Sequence, residues 1–180
     1  MALCKIVSMS VLPNNCLIVV GDILIDSDSE KHIRKLERVS YLFGSLTVNS
    51  TSLNNLDSFY AIQAIEYFGN GPVIRITSNK NMKSAKFHTL NNIYTRDGAR
   101  EALIQDNHKD IFKEHKEKCN LIEPSEKYWV CRARMKFTGG DCGQMVNLTE
   151  LDLESYSEAS FSNIGFLIMA CFLVFWFQFN

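Results

Sequence analysis

A short aliphatic segment recurs four times along this chain, and its spacing limits the possible folds more than any other feature. The third residues of the copies lie at positions 25, 48, 76 and 104, so the steps are 23, 28 and 28 residues. A repeat in this range, with one apolar strand per unit, is typical of a solenoid whose rungs bury their faces against each other. The copies are Ile23-Leu24-Ile25, Leu46-Thr47-Val48, Ile74-Arg75-Ile76 and Ala102-Leu103-Ile104.

Alternation within each copy divides its residues between two faces of a strand. Successive side chains of a strand point in opposite directions, so the first and third residues should face the core. The middle residues should then form an outward row, together with the residue that follows each copy. This outward set consists of Leu24, Thr47, Arg75 and Leu103, followed by Asp26, Asn49, Thr77 and Gln105.

The segments between the copies have a different period. Apolar residues spaced by three predict short helical or 3₁₀ turns, and an amphipathic helix over 56–68 is the alternative for one segment. Small polar residues follow each copy by three positions, where Asn and Asp tolerate left-handed backbone and hydrogen-bond to nearby amides. We expect a stacked-turn role rather than metal binding for these residues, which are Asp28, Thr51, Asn79 and Asn107.

The composition argues against catalysis and nucleic-acid binding. Apolar residues make up 46% of 180 residues, and 19 Lys and Arg are balanced by 20 Asp and Glu, so no positive charge excess indicates nucleic acid. The histidines lack metal-ligand spacing, and no glycine-rich phosphate loop occurs. The segment from Thr138 to Cys142 is interpreted as a tight turn beside a disulfide. We expect no enzymatic activity, no cofactor and no metal.

Cysteines bracket the repeats. Cys4 and Cys171 lie in apolar terminal stretches, whereas Cys16 precedes the first copy and Cys119, Cys131 and Cys142 follow the last. Four such residues predict disulfide-bonded caps and an oxidising compartment. Three pairings are possible, and four free cysteines in a cytosolic protein are the alternative. Two glycosylation sequons, at Asn49 and Asn147, favour the secretory pathway.

The two ends of the chain differ in character from the repeats. Residues 1–15 are expected to be an N-terminal segment, with a poor or truncated secretion signal because no cleavage site follows a clear apolar run. Residues 146–163 form a polar stalk. Residues 164–179 carry no charge, so an apolar helix is expected there. It is either a membrane-spanning helix or a lipid-anchor signal, with a buried helix as the third alternative.

The repeats resemble a known family. The runs CLIVVGDILID, KLERVSYLFGSLTVNSTSLNNLDSF, VIRITSNKNM, LNNI and IQDNHKDIF are similar to the receptor L domains of the insulin and EGF receptor type, and nearest to a nematode set of them. The resemblance covers about Cys16 to Cys142, within a domain that we place at 16–145. It implies a right-handed β-solenoid with leucine-rich-type rungs, disulfide-bonded ends and a ligand-binding sheet face.

The function implied is that of a membrane-tethered extracellular binding module at the cell surface. We expect it to bind a secreted peptide or another ectodomain, as a kinase-less co-receptor or a decoy. The candidate contacts are Leu24, Asp26, Thr47, Arg75, Thr77, Leu103 and Gln105. A glycan on Asn49 would cover part of that face. The alternative is an adhesion or matrix protein that uses the solenoid for protein–protein contact.

Overall fold

The described part of the protein is mostly β-structure with short helices, as the sequence predicts. The computed structural model describes residues 2–96, 101–113, 119, 121 and 135–148. Within these residues the 3₁₀ helices are Glu30–Leu36 and Asp57–Phe59. The strands are β1 (Leu3–Lys5), β2 (Ile18–Val20), β3 (Ile23–Ile25), β4 (Tyr41–Phe43), β5 (Leu46–Asn49), β6 (Ala64–Tyr67), β7 (Ile74–Thr77), β8 (Asn92–Thr95), β9 (Glu101–Gln105) and β10 (Lys136–Thr138).

The strands form two parallel sheets, which we call sheet A and sheet B. Sheet A has the order β1-β2-β4-β6-β8, and sheet B has the order β10-β9-β7-β5-β3. From β2 to β9, consecutive strands alternate between the sheets, so each repeat contributes one strand to each. The sequence motif marks only the sheet B strand of each repeat.

The register of sheet B agrees with the spacing of the repeats. Ile23 pairs with Leu46, Leu46 with Ile74, and Ile74 with Ala102. The third residues of the copies are paired in the same way, and all eight inward residues are buried. The prediction that the aliphatic pairs stack from strand to strand is therefore confirmed.

The core lies between the inner faces of the two sheets and is completed by the connecting segments. Sheet A contributes Val19, Leu42, Ile65 and Ile93, all at most 4% exposed. Ile33 and Leu36 of the first helix face the same core, and Phe59 packs edge-on against Phe87 with ring centroids 5.8 Å apart. Full burial of such side chains contributes roughly 1.5–3 kcal/mol each.

The connection over 56–68 is not one amphipathic helix. It holds the 3₁₀ helix Asp57–Phe59 and then strand β6, Ala64–Tyr67. Two strands per repeat leave too few residues between them for a longer helix, because strand pairing fixes where each segment must return. The spacing of apolar residues by three therefore reflects short turns here.

Polar side chains link successive turns beside sheet B, at the positions that the sequence predicted for stacked turns. The Oδ1 of Asn79 accepts hydrogen bonds from the Thr51 amide at 2.9 Å and hydroxyl at 2.7 Å. The Oδ1 of Asn107 in turn accepts bonds from the amide and side chain of Asn79. The ladder ends on Asp141, whose carboxylate accepts two bonds from Asn107. Asp28 is exposed and is not part of this ladder.

The residues with left-handed backbone conformation in these turns are not the ones that the sequence indicated. Ser50, Ser78 and Asp106 have φ of 55°, 59° and 59°, and each lies one position before a ladder residue. A left-handed residue reverses the chain so that the next side chain points back under the strand. The ladder residues are thus free to hydrogen-bond across the repeats.

Two disulfides close the ends of the described part of the chain. Cys4 pairs with Cys16, and Cys119 pairs with Cys142. Sequence reasoning selected three of these four residues but set Cys4 aside as terminal. Cys131 lies outside the described residues. The first 15 residues also supply β1, which pairs with β2, and two buried side chains, Met9 and Leu12.

Residues up to Leu148 form one compact unit. No described helix is long and apolar enough to cross a membrane. The expected apolar helix at 164–179 and most of the stalk at 146–163 lie outside the described residues.

Candidate ligand-binding face

The outer face of sheet B carries the four middle residues of the repeated motif in one row. Leu24 is in register with Thr47, Thr47 with Arg75, and Arg75 with Leu103. The strands that hold them are parallel and adjacent, so the row runs across four of the five strands of the sheet. The structure therefore brings the four predicted residues together, but it does not expose them equally.

At one end of the row the side chains are open to solvent. Leu24 is 49% exposed on the edge strand β3, and Thr47 and Arg75 are half-buried. We call Leu24, Asp26, Thr47 and Arg75 the open half of the outer face. It combines an aliphatic group, a hydroxyl and both signs of charge, which suits a polar protein surface with one apolar contact point.

Arg75 lies against the turn that enters its strand. A β-carbon built on Gly71 would lie 3.3 Å from its Nη2 atom. Burial raises the pKa of the Tyr67 hydroxyl, and the Asp22 carboxylate raises it further. The Arg75 guanidinium lowers this pKa by a smaller amount. The Tyr67 hydroxyl donates a 2.6 Å bond to the carbonyl of Asn70. The charge of Arg75 is thus held beside a fixed corner.

At the other end the row is covered by residues 139–146, which we call the cover. Leu103 is only 1% exposed, and a β-carbon built on Gly139 would lie 2.9 Å from its Cδ1 atom. Gly139 also has φ of 93°, and its β-carbon would lie 2.4 Å from the Ile104 carbonyl oxygen. Only glycine fits this close approach. The outward direction predicted for Leu103 is correct, but its exposure is not.

Gln105 binds the cover by its amide group. Its Oε1 accepts bonds from the Val146 amide at 2.8 Å and the Gly140 amide at 3.2 Å, and its Nε2 donates to the Val146 carbonyl at 3.0 Å. The side chain thus pairs with backbone as a neighbouring strand would. Gln105 is 3% exposed, so it meets the cover and not solvent. Leu103 and Gln105 form the covered half of the face.

Two of the predicted contacts, Thr77 and Asp26, also form hydrogen bonds within the fold. Thr77 is 6% exposed and its hydroxyl donates a 2.8 Å bond to Oδ1 of Asn49. Asp26 accepts bonds from the Ser29 hydroxyl at 2.7 Å and amide at 2.9 Å. The hydroxyl bond is the largest cause of its lowered pKa, followed by the amide bond. One Asp26 oxygen is therefore committed to the turn.

The two sequons differ in their surroundings. Asn49 is half-buried, and the hydroxyl of its sequon residue Thr51 is inside the turn ladder. Asn147 is exposed just beyond the cover. Glycosylation of either residue stays a prediction.

Sequence reasoning missed a second outward surface, on sheet A. One row joins Leu3, Ile18 and Tyr41 in register, with Leu3 64% and Tyr41 36% exposed. The sequence offered little signal for these strands, because β2 is apolar at all three positions and β6 and β8 end several residues before the next strand of sheet B. A second row is formed by Lys5, Val20, Phe43, Glu66 and Tyr94.

Two groups of the second row are charged. Lys5 lies on the edge strand β1, and Glu66 lies inside the sheet. It lies in register between Phe43 and Tyr94, and burial raises its pKa. Its carboxylate is therefore harder to ionise than an exposed one. The described residues hold no group of His, Cys, Asp and Glu that could bind a metal ion. Both outer faces present surfaces for contact.

The comparisons with known proteins agree with this architecture. The family model of the receptor L domain matches residues 15–121, which is more than half of the chain. The chain therefore belongs to the receptor L domain family, a family of ligand-binding modules. Comparison with curated proteins and with solved structures gave no match. The family and the two disulfides indicate an extracellular domain.

Proposed function

We propose that this protein is a membrane-tethered extracellular binding module, and that it holds a secreted peptide or another ectodomain against the open half of sheet B. The observation that carries the proposal is the exposed Leu24 on the edge strand, in register with Thr47 and Arg75. An exposed apolar side chain beside polar groups matches the apolar core and polar rim of a protein contact. Receptor L domains generally bind protein ligands, which supports this class of partner.

The open half can accept a partner without rearrangement. Its strands β3, β5 and β7 are paired along their length, so their side chains are held on a rigid surface. A rigid surface lowers the entropy lost on binding. Leu103 and Gln105, in contrast, could contact a ligand only if the cover moved. We therefore restrict the proposed contacts to Leu24, Asp26, Thr47 and Arg75.

We infer further that the alternating strands are successive turns of a right-handed β-solenoid with leucine-rich-type rungs. Alternation between two parallel sheets supports this arrangement. Tethering by residues 164–179, as a spanning helix or a lipid-anchor signal, rests on the uncharged sequence there. We propose that a module of this kind acts as a co-receptor or decoy for its ligand.

The test is a binding assay on cells that display the full chain. A panel of secreted insulin-like and growth-factor-like peptides is titrated against wild type and a Leu24→Arg variant. Wild type should bind at least one peptide saturably, and Leu24→Arg should weaken it by at least about tenfold, as expected for a central contact residue. Release by a phosphatidylinositol-specific phospholipase would distinguish the lipid anchor from a spanning helix.

A matched control tests whether a loss of binding is specific to the outer face of sheet B. Tyr60 is 53% exposed, close to the 49% of Leu24, and lies outside both sheets. Tyr60→Arg should leave binding unchanged. If no peptide binds saturably, or if both variants bind as wild type does, the proposed site is wrong.

A second function, adhesion through protein–protein contact, is favoured by the outer face of sheet A. Leu3, Tyr41 and Phe43 give this face an apolar and aromatic surface that a homotypic contact could bury. Sedimentation of the purified chain over a range of concentrations tests it. Self-association that Tyr41→Glu abolishes would favour adhesion, whereas a monomer throughout would exclude the homotypic form.

A further inference from the structure

The first 3₁₀ helix carries a set of basic side chains that neither sheet uses. In a 3₁₀ helix, side chains three positions apart lie above one another, with a rise of about 2 Å per residue. Ile33 and Leu36 occupy the row that faces the core. The two other rows face away from the core. These rows are Lys31 and Arg34, and His32 and Lys35, and the turn after the helix adds Glu37 and Arg38.

Both rows line one open groove. The groove has a volume of about 400 Å³ and is completed by Asn14 from the N-terminal loop. Lys35 joins the two sides, because its Nζ donates a 2.6 Å bond to the carbonyl of Ser10. The groove therefore lies between the helix and a loop that the Cys4–Cys16 disulfide and the buried Met9 hold in place.

The charge of this groove differs from that of the whole chain. Four cationic side chains against one carboxylate give it a formal charge of +3, whereas the chain carries −1. Lys31, Arg34 and Arg38 are exposed, and within the described part of the chain no acidic group pairs with them. The nearby Glu30 is already engaged, since its two oxygens accept 2.6 Å bonds from the Ser52 amide and hydroxyl.

We propose that this groove binds a sulfated polysaccharide of the extracellular matrix or cell surface. The rows set cationic groups roughly 6 Å apart, so a linear chain with several sulfates per repeat can meet several of them at once. An open groove lined by long side chains suits a polymer better than an enclosed small molecule. Binding is driven by the release of counterions from the polyanion, as for nucleic acids.

The extracellular character of the domain selects this polyanion among others. Anionic phospholipids concentrate in the cytoplasmic leaflet of membranes, and the two disulfides and the family place the domain on the other side. The groove also lies outside the open half of sheet B. The polysaccharide would therefore concentrate the protein at a surface without occupying the proposed peptide site.

The experiment measures binding of the oxidised full chain to immobilised heparin. Wild type should be retained at 0.15 M salt, a concentration near physiological ionic strength, and released as salt rises. The triple variant Lys31→Ala, Arg34→Ala, Arg38→Ala should weaken binding by roughly 10- to 100-fold and reduce the salt slope by about two to three. Glu37→Gln should tighten binding by roughly twofold, because it removes the groove's carboxylate.

The matched control removes the same charge elsewhere. Lys80, Lys83 and Lys109 are exposed and lie outside the groove, so their triple alanine variant should bind heparin within about twofold of wild type. Chemically desulfated heparin should not bind. The proposal is overturned if wild type is not retained, if the two triple variants weaken equally, or if the groove variant lowers binding only to phosphatidylserine vesicles.

Discussion

The open and covered halves of the outer face of sheet B arise from the same repeated motif but perform different tasks. Leu24 and Leu103 occupy equivalent positions, yet their side chains are 49% and 1% exposed. The difference comes from the cover, residues 139–146, which returns over the last strands. Equivalent positions in a repeat therefore share direction but not environment. One half is left for contact, and the other stabilises the end of the sheet.

The largest expected effect comes from the disulfide that anchors the cover. Cys119→Ser with Cys142→Ser opens a link across a separation of 23 residues and should lower the free energy of unfolding by about 3 to 4 kcal/mol. Urea unfolding measures the loss. Hydrogen exchange should then increase in β9 and remain unchanged in β3 and β5.

The N-terminal disulfide is the control for this change. Cys4→Ser with Cys16→Ser opens a link across a shorter separation of 12 residues and should cost about 3 kcal/mol, but β9 should keep its protection. Equal exposure of β9 in both variants would mean that the cover does not depend on its own disulfide.

The matched leucines give the next largest effect. Leu103→Ala removes a fully buried side chain and should cost about 2 to 4 kcal/mol, whereas Leu24→Ala should change stability by no more than about 0.5 kcal/mol. Thermal and urea unfolding of both variants check the difference. Similar losses at the two positions would contradict the division of the face.

A comparison of the two neighbouring glycines of the cover tests whether the close approach to β9 requires glycine. Gly139→Ala would force a β-carbon to 2.4 Å from the Ile104 carbonyl oxygen and should cost about 2 kcal/mol. The nearest atom to a β-carbon on Gly140 is 3.5 Å away, so Gly140→Ala should be nearly neutral. The urea midpoints of both variants measure the difference in stability. If Gly139→Ala leaves stability unchanged, the cover does not pack closely against β9.

The smallest effects concern pH and have opposite signs on the two sheets. Asp26 has its pKa lowered from 3.8, chiefly by the Ser29 hydroxyl. Its ionised form therefore stabilises the fold above the unfolded pKa, and this contribution is lost as pH falls through the folded value. Asp26→Asn should slightly lower stability at pH 7 and have no effect well below pH 3.

Glu66 should behave in the opposite way. Burial raises its pKa above 4.5, so its ionisation opposes folding once the pH exceeds the unfolded pKa. Glu66→Gln should slightly raise stability at pH 7 and be neutral below pH 4. Urea unfolding of Asp26→Asn and Glu66→Gln, each at pH 7 and at low pH, measures these changes in stability. A shift of the same sign for the two variants would contradict the assigned environments.

The spacing of the repeats predicted the features of the fold that depend on local sequence pattern. Alternation fixed the inward residues and the direction of Leu24, Thr47, Arg75 and Leu103, because side-chain direction in a strand follows from sequence position alone. The stacked-turn position of Thr51, Asn79 and Asn107 was predicted because each residue follows its strand at a constant distance. Their side-chain bonds from one repeat to the next and the absence of Asp28 from the ladder were not predicted.

Exposure and pairing depended on residues distant in sequence. Nothing in the motif indicates that Gln105 meets Val146, because the contact joins residues 41 positions apart. The last member of the ladder, Asp141, lies in a segment that the sequence analysis interpreted only as a turn. Cys4 was set aside because it lies in an apolar terminal stretch. The strand that brings it to Cys16 is only three residues long, which is too short for alternation to identify.

The most direct test of the account is hydroxyl-radical footprinting of the displayed chain, alone and with a peptide that it binds. The account predicts rapid oxidation of Leu24 and slow oxidation of Leu103 in the free protein, and a marked decrease at Leu24 when the peptide is added. Tyr41 on sheet A should be unaffected. Equal oxidation of the two leucines, or protection of Tyr41 in place of Leu24, would contradict it.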